Sequence, residues 1–385
     1  MKYFLLPLIF IGTLFSANND PIFLIHGFMG WGRDEMNGYR YWGGKNDYQE
    51  ELRKLGYNVY TLSVGPVSSN WDRAIEAYAQ IKGGCVDYGK GHSEEFGIIQ
   101  KPDNKCFEGL YPQWDESKPI HLIGHSQGGL TARMLEFLLA NNYPDETSLL
   151  LKNNYDGWIK SVTTISTPHD GTTLAPIIMD IFPFAQNLAS WVGSIDSSFL
   201  SEFYNFDLEQ WGLKKEPNEK NKPFWKRVKS SKIRESKNFS SWDLSLEGSK
   251  NFNSTYVTNQ DTYYFTFASY ATYEKENSEI HKPDSEMRWL LKPVGFFLGK
   301  SKETGVEWYQ NDGIVNTISM YAPSTGENGP APAKKFDGNP QKGIWQNIET
   351  LHMDHHRVIG GHIPESESSE VFKIYLKHCS LLYSL

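Results

Sequence analysis

Short, nearly unbroken apolar runs recur along the chain, separated by stretches with helical spacing. "PIFLIHG" (Pro21 to Gly27), "NVYTLSV" (Asn58 to Val64), "PIHLIGH" (Pro119 to His125), "SVTTIST" (Ser161 to Thr167) and "TYYFTFA" (Thr262 to Ala268) are of the first kind. Their apolar positions run on rather than alternate, as in parallel strands covered on both faces. Asn70 to Ile81, Leu130 to Ala140 and Ser368 to Leu382 read as helices. Strand and helix in turn predict a doubly wound α/β domain. No stretch of linker composition divides the chain, so residues 18–385 are expected to form a single domain. Two segments fit neither period. Leu174 to Trp211 is an apolar-rich, pattern-poor insertion, and Lys214 to Lys237 is a lysine-rich surface helix or loop.

Bulk properties narrow the function. A net charge of −8 with no basic cluster argues against nucleic acid as a partner. Aromatic content of 14% suits apolar clefts or surfaces. The opening "MKYFLLPLIFIGTLFSANND" places Lys2 before an apolar run from Tyr3 to Phe15, then Ser16 and Ala17. This order predicts a secretory signal over residues 1–17, followed by an exported chain. Cys85 and Cys106 could bridge in an oxidising compartment, leaving Cys379 over; three free thiols is the alternative. N-x-S/T acceptor sites at Asn238 and Asn253 add only weakly to an export reading.

The chemistry centres on "PIHLIGHSQGGLTARMLEFLLA", where Ser126 sits between Gly124 and Gly128 at the joint of a strand and a helix. Such a turn strains the serine backbone and holds Oγ clear of the sheet's carboxyl edge, ahead of a helix N-terminus. A serine hydroxyl needs a base at neutral pH, and the base needs an orienting carboxylate. In this kind of fold the order is Ser, then acid, then His. Asp312 in "WYQNDGIVNT" stands in the acid position. His352, His355, His356 and His362 in "LHMDHHRVIGGH" all compete for the base, and periodicity does not separate them. An oxyanion hole can draw one backbone N–H from "HGFMGWG" and another from Gln127.

These stretches, taken together, resemble the bacterial triacylglycerol lipases that include the zinc-bearing enzymes of thermophilic bacilli and the staphylococcal lipases. Matching strings run in family order from Pro21 to about Gly360, among them "PIFLIHGFMGWGRDEM", "YWGG", "TLSVGPVSSNWDRA", "GHSQGG", "SVTTISTPHDGTT", "FDLEQWGL", "NDGIVNTISM" and "DHHRVIG". The resemblance implies an α/β-hydrolase fold: a mostly parallel central sheet with helices on both faces, a lid insertion and a small inserted subdomain. It implies Ser126 as nucleophile, Asp312 as orienting acid and His355 as base, because the family's catalytic histidine directly follows an aspartate, here Asp354. Phe28 and Gln127 would supply the oxyanion hole. The insertion corresponds to the family's lid, about residues 174–211. "LAPIIMDIFPFAQNLASWV" (Leu174 to Val192) carries enough apolar surface to cover the site in water and dock on lipid when open.

The metal positions depart from the resemblance. Asp72, His92 and Asp243 stand at three of the family's four zinc-ligand positions, and Ile98 stands at the fourth, where it cannot ligate. Three ligands and water leave a structural zinc open; the other reading is that Asp72 and Asp243 serve hydrogen bonding. Where the family's calcium site has a glutamate and an aspartate, this chain has Arg357 and His362, which argues against calcium. No cofactor is expected in the chemistry. The implied activity is that of a secreted serine ester hydrolase on water-insoluble acylglycerols at an oil–water or membrane interface. A phospholipase or broad carboxylesterase on the same site is the alternative, and an inactive lipid-surface binder a more distant one.

Overall fold

The computed structural model describes residues 18–103, 105–176, 205–216, 219–231, 233, 236–361 and 365–385. The signal expected over 1–17, His362 and most of the lid stretch, 177–204, lie outside the described residues.

One seven-stranded sheet organises the chain. Its strands are β1 (Ile22–Ile25), β2 (Val59–Leu62), β5 (Ile120–His125), β6 (Ile159–Ile165), β7 (Tyr263–Tyr270), β10 (Ala333–Lys335) and β11 (Trp345–His352). Two short antiparallel ladders lie apart from it: β3 (Gly84–Cys85) with β4 (Cys106–Phe107), and β8 (Thr272–Glu274) with β9 (His281–Pro283). The sheet order is β10-β11-β7-β6-β5-β1-β2, and every neighbouring pair is parallel. All carboxyl ends therefore open on one edge, where α/β folds build their sites.

The continuous apolar runs are explained by two cores. In β1, Ile22 and Leu24 enter one core while Phe23 and Ile25 enter the other, so period-2 geometry buries every residue. On the first face pack α1 (Tyr48–Lys54) and the C-terminal helix Glu365–Tyr383, through Tyr48, Leu52, Val371, Tyr375, Cys379 and Leu382. The second face takes α2 (Asn70–Lys82) and α4 (Gln127–Ala140), through Ile75, Ala79, Leu135 and Leu138, and the short α3 (Lys90–Phe96) lies between them in sequence. Leu135 is fully buried, so truncating it to Ala should cost about 2–5 kcal/mol. The Lys214 to Lys237 stretch is less superficial than its charge suggests. Its helix, Asn221–Ser230, buries Phe224 and Val228 in the first core.

Cys85 and Cys106 face each other across the β3–β4 ladder and form a disulfide; Cys379 is free and buried. Neither N-x-S/T site is a surface acceptor. The Asn238 amide donates to Asp72, and the Asn253 amide donates to the His169 carbonyl and Asp170, both at buried positions. Among the described residues no helix is long and apolar enough to cross a membrane.

Candidate active site

Ser126 follows β5 directly and caps α4, with φ 56° and ψ −127°. A non-glycine residue rarely adopts that conformation, and it survives only where its surroundings over-determine it. The flanking glycines supply the constraint. A Cβ on Gly124 would stand 2.3 Å from the Gly128 backbone, and one on Gly128 would stand 2.1 Å from the Ile25 carbonyl oxygen. Helix α4 can thus start tight behind the sheet only because these positions lack side chains, and the turn drives Ser126 outward. Its N–H donates to the Ile165 carbonyl at 2.8 Å, tying the elbow to β6.

The expected base and acid, His355 and Asp312, arrive from later loops. His355 Nδ1–H donates to Asp312 Oδ2 at 2.7 Å, since a carboxylate only accepts. Its backbone N–H also donates to the Asp312 carbonyl at 3.0 Å, so the two loops are tied twice. Asp312 is fully buried, and its charge is met by donors. Oδ1 accepts from the N–H groups of Ile314 at 3.0 Å and Val315 at 2.8 Å, and Oδ2 also accepts from Ser269 Oγ at 2.7 Å. That arrangement leaves Nε2 of His355 as the ring nitrogen for proton transfer. The His355 ring lies 4.6 Å, centroid to centroid, from the ring of His125, the residue before the serine.

Two of the competing histidines, His352 and His356, are engaged elsewhere. His352 Nε2 pairs with Asp284 at 2.7 Å on a half-exposed surface, and His356 Nδ1 lies 2.6 Å from the Arg288 guanidinium. Asp354, before His355, is not a reacting acid. Its oxygens accept from the N–H groups of His356, Arg357 and Arg288 and so shape the turn that carries His355.

The loop after β1 is held on every side. N–H groups of Gly27, Met29 and Gly30 donate to Tyr41 Oη, the Pro66 carbonyl and the Gly27 carbonyl at 2.9, 2.8 and 3.1 Å, which orients the chain about Phe28. Buried Arg73 donates to the His26 and Gly65 carbonyls behind it. Burial, with the Arg73 charge added, lowers the His26 pKa to about 3, so that ring stays neutral. Gln127 opens α4, where a backbone N–H has no partner within the helix. Its side chain is fixed by Ser68 O at 3.1 Å, Asn70 Oδ1 at 3.2 Å and Ser240 Oγ at 3.0 Å.

The zinc positions are arranged differently from a metal cage. Asp72 Oδ1 accepts from His92 Nε2 at 2.9 Å, and both its oxygens accept from Asn238 Nδ2, at 3.3 and 3.1 Å. Gln210 Nε2 adds a contact to Oδ2 at 3.3 Å, and Asp243 Oδ2 accepts from the Asn70 N–H. Ile98 is a core residue. Among the described residues no group of three or more His, Cys, Asp or Glu is placed to hold a metal. The expected set Asp72, His92 and Asp243 therefore does not fit zinc as it stands: amide donors fill the carboxylate's acceptor directions. At the calcium position, the Arg357 guanidinium pairs with the Glu286 carboxylate and donates to its carbonyl at 3.3 Å. A fixed positive charge thus sits where a cation would be needed.

A serine on a strained strand-to-helix elbow, facing the carboxyl edge of a parallel sheet with a His–Asp pair brought from later loops, defines the α/β-hydrolase class. The chain belongs to the family described as lipase-like, C-terminal domain, whose model matches residues 18–373. Lipase 1 of Staphylococcus aureus (strain NCTC 8325 / PS 47) is 37% identical over 358 residues, covering 89% of this chain and 51% of the relative. The chain spans about half the length of the curated relatives it matches. Among solved structures, EstA from Clostridium botulinum superposes with a TM-score of 0.88 at 34% identity, covering 100% of this chain and 93% of that one. Lipase 1 from Pelosinus fermentans gives 0.82 at 36%, with 96% and 99% covered. Staphylococcus hyicus lipase gives 0.80 at 32%, with 95% and 96% covered.

Proposed function

We propose that this chain is a secreted lipase that hydrolyses carboxylic esters of acylglycerols through an acyl-enzyme on Ser126. The observation that carries this reading is the strained serine elbow beside the His355–Asp312 pair. The Cys85–Cys106 disulfide suits an oxidising, extracellular compartment.

In the proposed cycle Ser126 Oγ attacks the ester carbonyl carbon while its proton passes to His355 Nε2. Electrons of the C=O bond move onto oxygen, which the N–H groups of Phe28 and Gln127 receive. Buried Asp312 stabilises the imidazolium through the Nδ1–H bond. Collapse breaks the ester C–O bond, and His355 returns the proton to the departing alcohol. Water then repeats the sequence on the acyl-enzyme and releases the fatty acid. Every proton is accounted for by serine, histidine, substrate and water. The stretch from Leu174 begins in the apolar cluster that includes Phe28 and Ile314, consistent with a cover over an apolar acyl site.

The test is acylation itself. A fluorophosphonate should add its mass to Ser126 in the wild type and not in Ser126→Ala, whose kcat should fall by about 10⁴-fold or more with folding intact. An emulsified triglyceride should be cut faster per mole of enzyme than the same acyl chain in a soluble ester. Near-wild-type turnover by Ser126→Ala would remove the reading, and a preference for soluble esters or phospholipids would move it to the esterase or phospholipase alternative.

A further inference from the structure

His125 and Tyr41 form a directed chain of hydrogen bonds between the two halves of the candidate site. The His355 carbonyl, 2.9 Å from His125 Nε2, can only accept, so Nε2 must carry the proton. His125 is buried, and burial, followed by the neighbouring His355, holds its pKa well below the usual histidine range. A neutral ring with its proton on Nε2 has a bare Nδ1, which must accept. Its partner is Tyr41 Oη at 2.6 Å, so the hydroxyl donates there. That same oxygen accepts the Gly27 N–H at 2.9 Å. Direction is thus fixed from the β1 loop, through Tyr41 and His125, to the backbone of His355.

Packing permits little alternative. Tyr41 stands edge-on to Trp31 at 5.3 Å and to Trp42 at 5.5 Å, and Trp42 stands edge-on to the His125 ring at 6.3 Å. Neither ring can tilt without opening a void in a dense core, and neither polar end can find water. We propose that Tyr41 and His125 are positioning residues: they lock the loop carrying Phe28 to the segment carrying His355, so oxyanion donors and base keep one relative geometry. The proposal rests on the Ser126–His355–Asp312 reading.

Positioning of this kind acts on the chemical step, because misplacement by about 1 Å can cost about 100-fold in rate. Tyr41→Phe removes a single oxygen and should lower kcat about tenfold while KM stays within about twofold, for short soluble esters and long ones alike. His125→Leu should lose more. His125→Gln, whose Nε2 can still donate to the His355 carbonyl, should recover part of that loss. The double variant Tyr41→Phe/His125→Leu should be no slower than His125→Leu alone, since both break one chain. Melting curves accompany each variant, and if His125→Leu fails to fold then Tyr41→Phe and His125→Gln decide. Wild-type kcat in folded Tyr41→Phe, or equal rates for His125→Gln and His125→Leu, would overturn the proposal. Ser126→Ala measured in parallel separates the two questions: activity there sinks the triad reading itself, whereas an inactive Ser126→Ala with an unaffected Tyr41→Phe sinks only the positioning role.

Discussion

Besides the half-exposed Asp284–His352 pair, two buried aspartate–histidine pairs of nearly equal length lie among the described residues, Asp312–His355 at 2.7 Å and Asp72–His92 at 2.9 Å. Both aspartates are fully buried, and the histidines follow them by 43 and 20 residues. The difference lies in which nitrogen is held. His355 gives Nδ1 to its aspartate and keeps Nε2 for other work. His92 gives Nε2 to Asp72, while its ring is stacked flat on Trp71 at 4.8 Å and rests against Phe96 at 4.9 Å. The carboxylates differ as well. Asp312 is steadied by backbone donors from its own turn, whereas Asp72 also receives two side-chain amides, from Asn238 and Gln210. An Asp–His contact alone therefore does not mark a catalytic site. The setting of the free nitrogen does.

Exchanging the fates of these histidines gives the largest expected contrast. His355→Ala should lower kcat by about 10³-fold or more and cost about 1–2 kcal/mol of stability, because the proposed base is lost together with one donor to buried Asp312. His356→Ala, next to it, should keep most of the activity, since that ring meets Arg288 rather than Asp312. His92→Ala should leave the rate unchanged and cost about 1–2 kcal/mol of stability by removing one donor to buried Asp72. Kinetics and thermal melts on the three variants suffice. A dead His356→Ala beside an active His355→Ala would shift the base by one position.

Acid should expose a second contrast. Burial lowers His26 and His378 to about 3, while an unfolded chain binds protons near pH 6.5. Both groups are depressed in the folded state. Their stabilising contribution is therefore present above about pH 6.5 and is lost as pH falls from there toward 3. The urea midpoint should drop between pH 7 and pH 4.5, and less so in His378→Leu than in the wild type. Equal drops would mean that His378 is not held neutral. Loss of turnover in acid must accordingly be read beside the unfolding midpoint before it is assigned to protonation of His355.

Legibility in the sequence followed the physics of each part. Strands buried on both faces announce themselves as continuous apolar runs, and all five such runs named from the sequence are strands. β11 did not announce itself. It is "WQNIETLH", and a register shift between Asn347 and Glu349 breaks the alternation that a half-buried strand would show. α1 escaped for a different reason: "YQEELRK" is two turns long, and of its buried residues Tyr48, Gln49 and Leu52 only two are apolar. The elbow could be read because glycine spacing is a covalent constraint. Choosing among His352, His355 and His356 could not be done from pattern, because the choice is made by where Asp312, Asp284 and Arg288 lie in space. Tyr41 and His125 lie in the quoted strings "YWGG" and "GHSQGG", but their partnership carried no signal, since it joins residues 84 positions apart.

The smallest expected effect concerns metal, and it bears on whether the Asp72 neighbourhood is a metal site or a hydrogen-bonded one. Apolar Ile98 stands where a fourth ligand would be needed, and the Asn238 and Gln210 amides already satisfy Asp72. Binding zinc would require those amides to leave and His92 to give up its Nε2–H, so much of the gain would be spent in rearrangement. EDTA should leave esterase activity unchanged at moderate temperature and should move the melting temperature by no more than about 1–2 °C, because only a bound metal adds folding energy. Ile98→His restores a ligand and should make the melting temperature rise with added zinc, an effect that Asp72→Asn in the same background should abolish. The readout is thermal, so it does not depend on turnover. Stoichiometric zinc in the purified wild type, with a large melting loss on chelation, would show that Asp72, His92 and Asp243 converge on a metal with water as the fourth ligand. The two Asp–His pairs would then differ by a cation rather than by their amide neighbours.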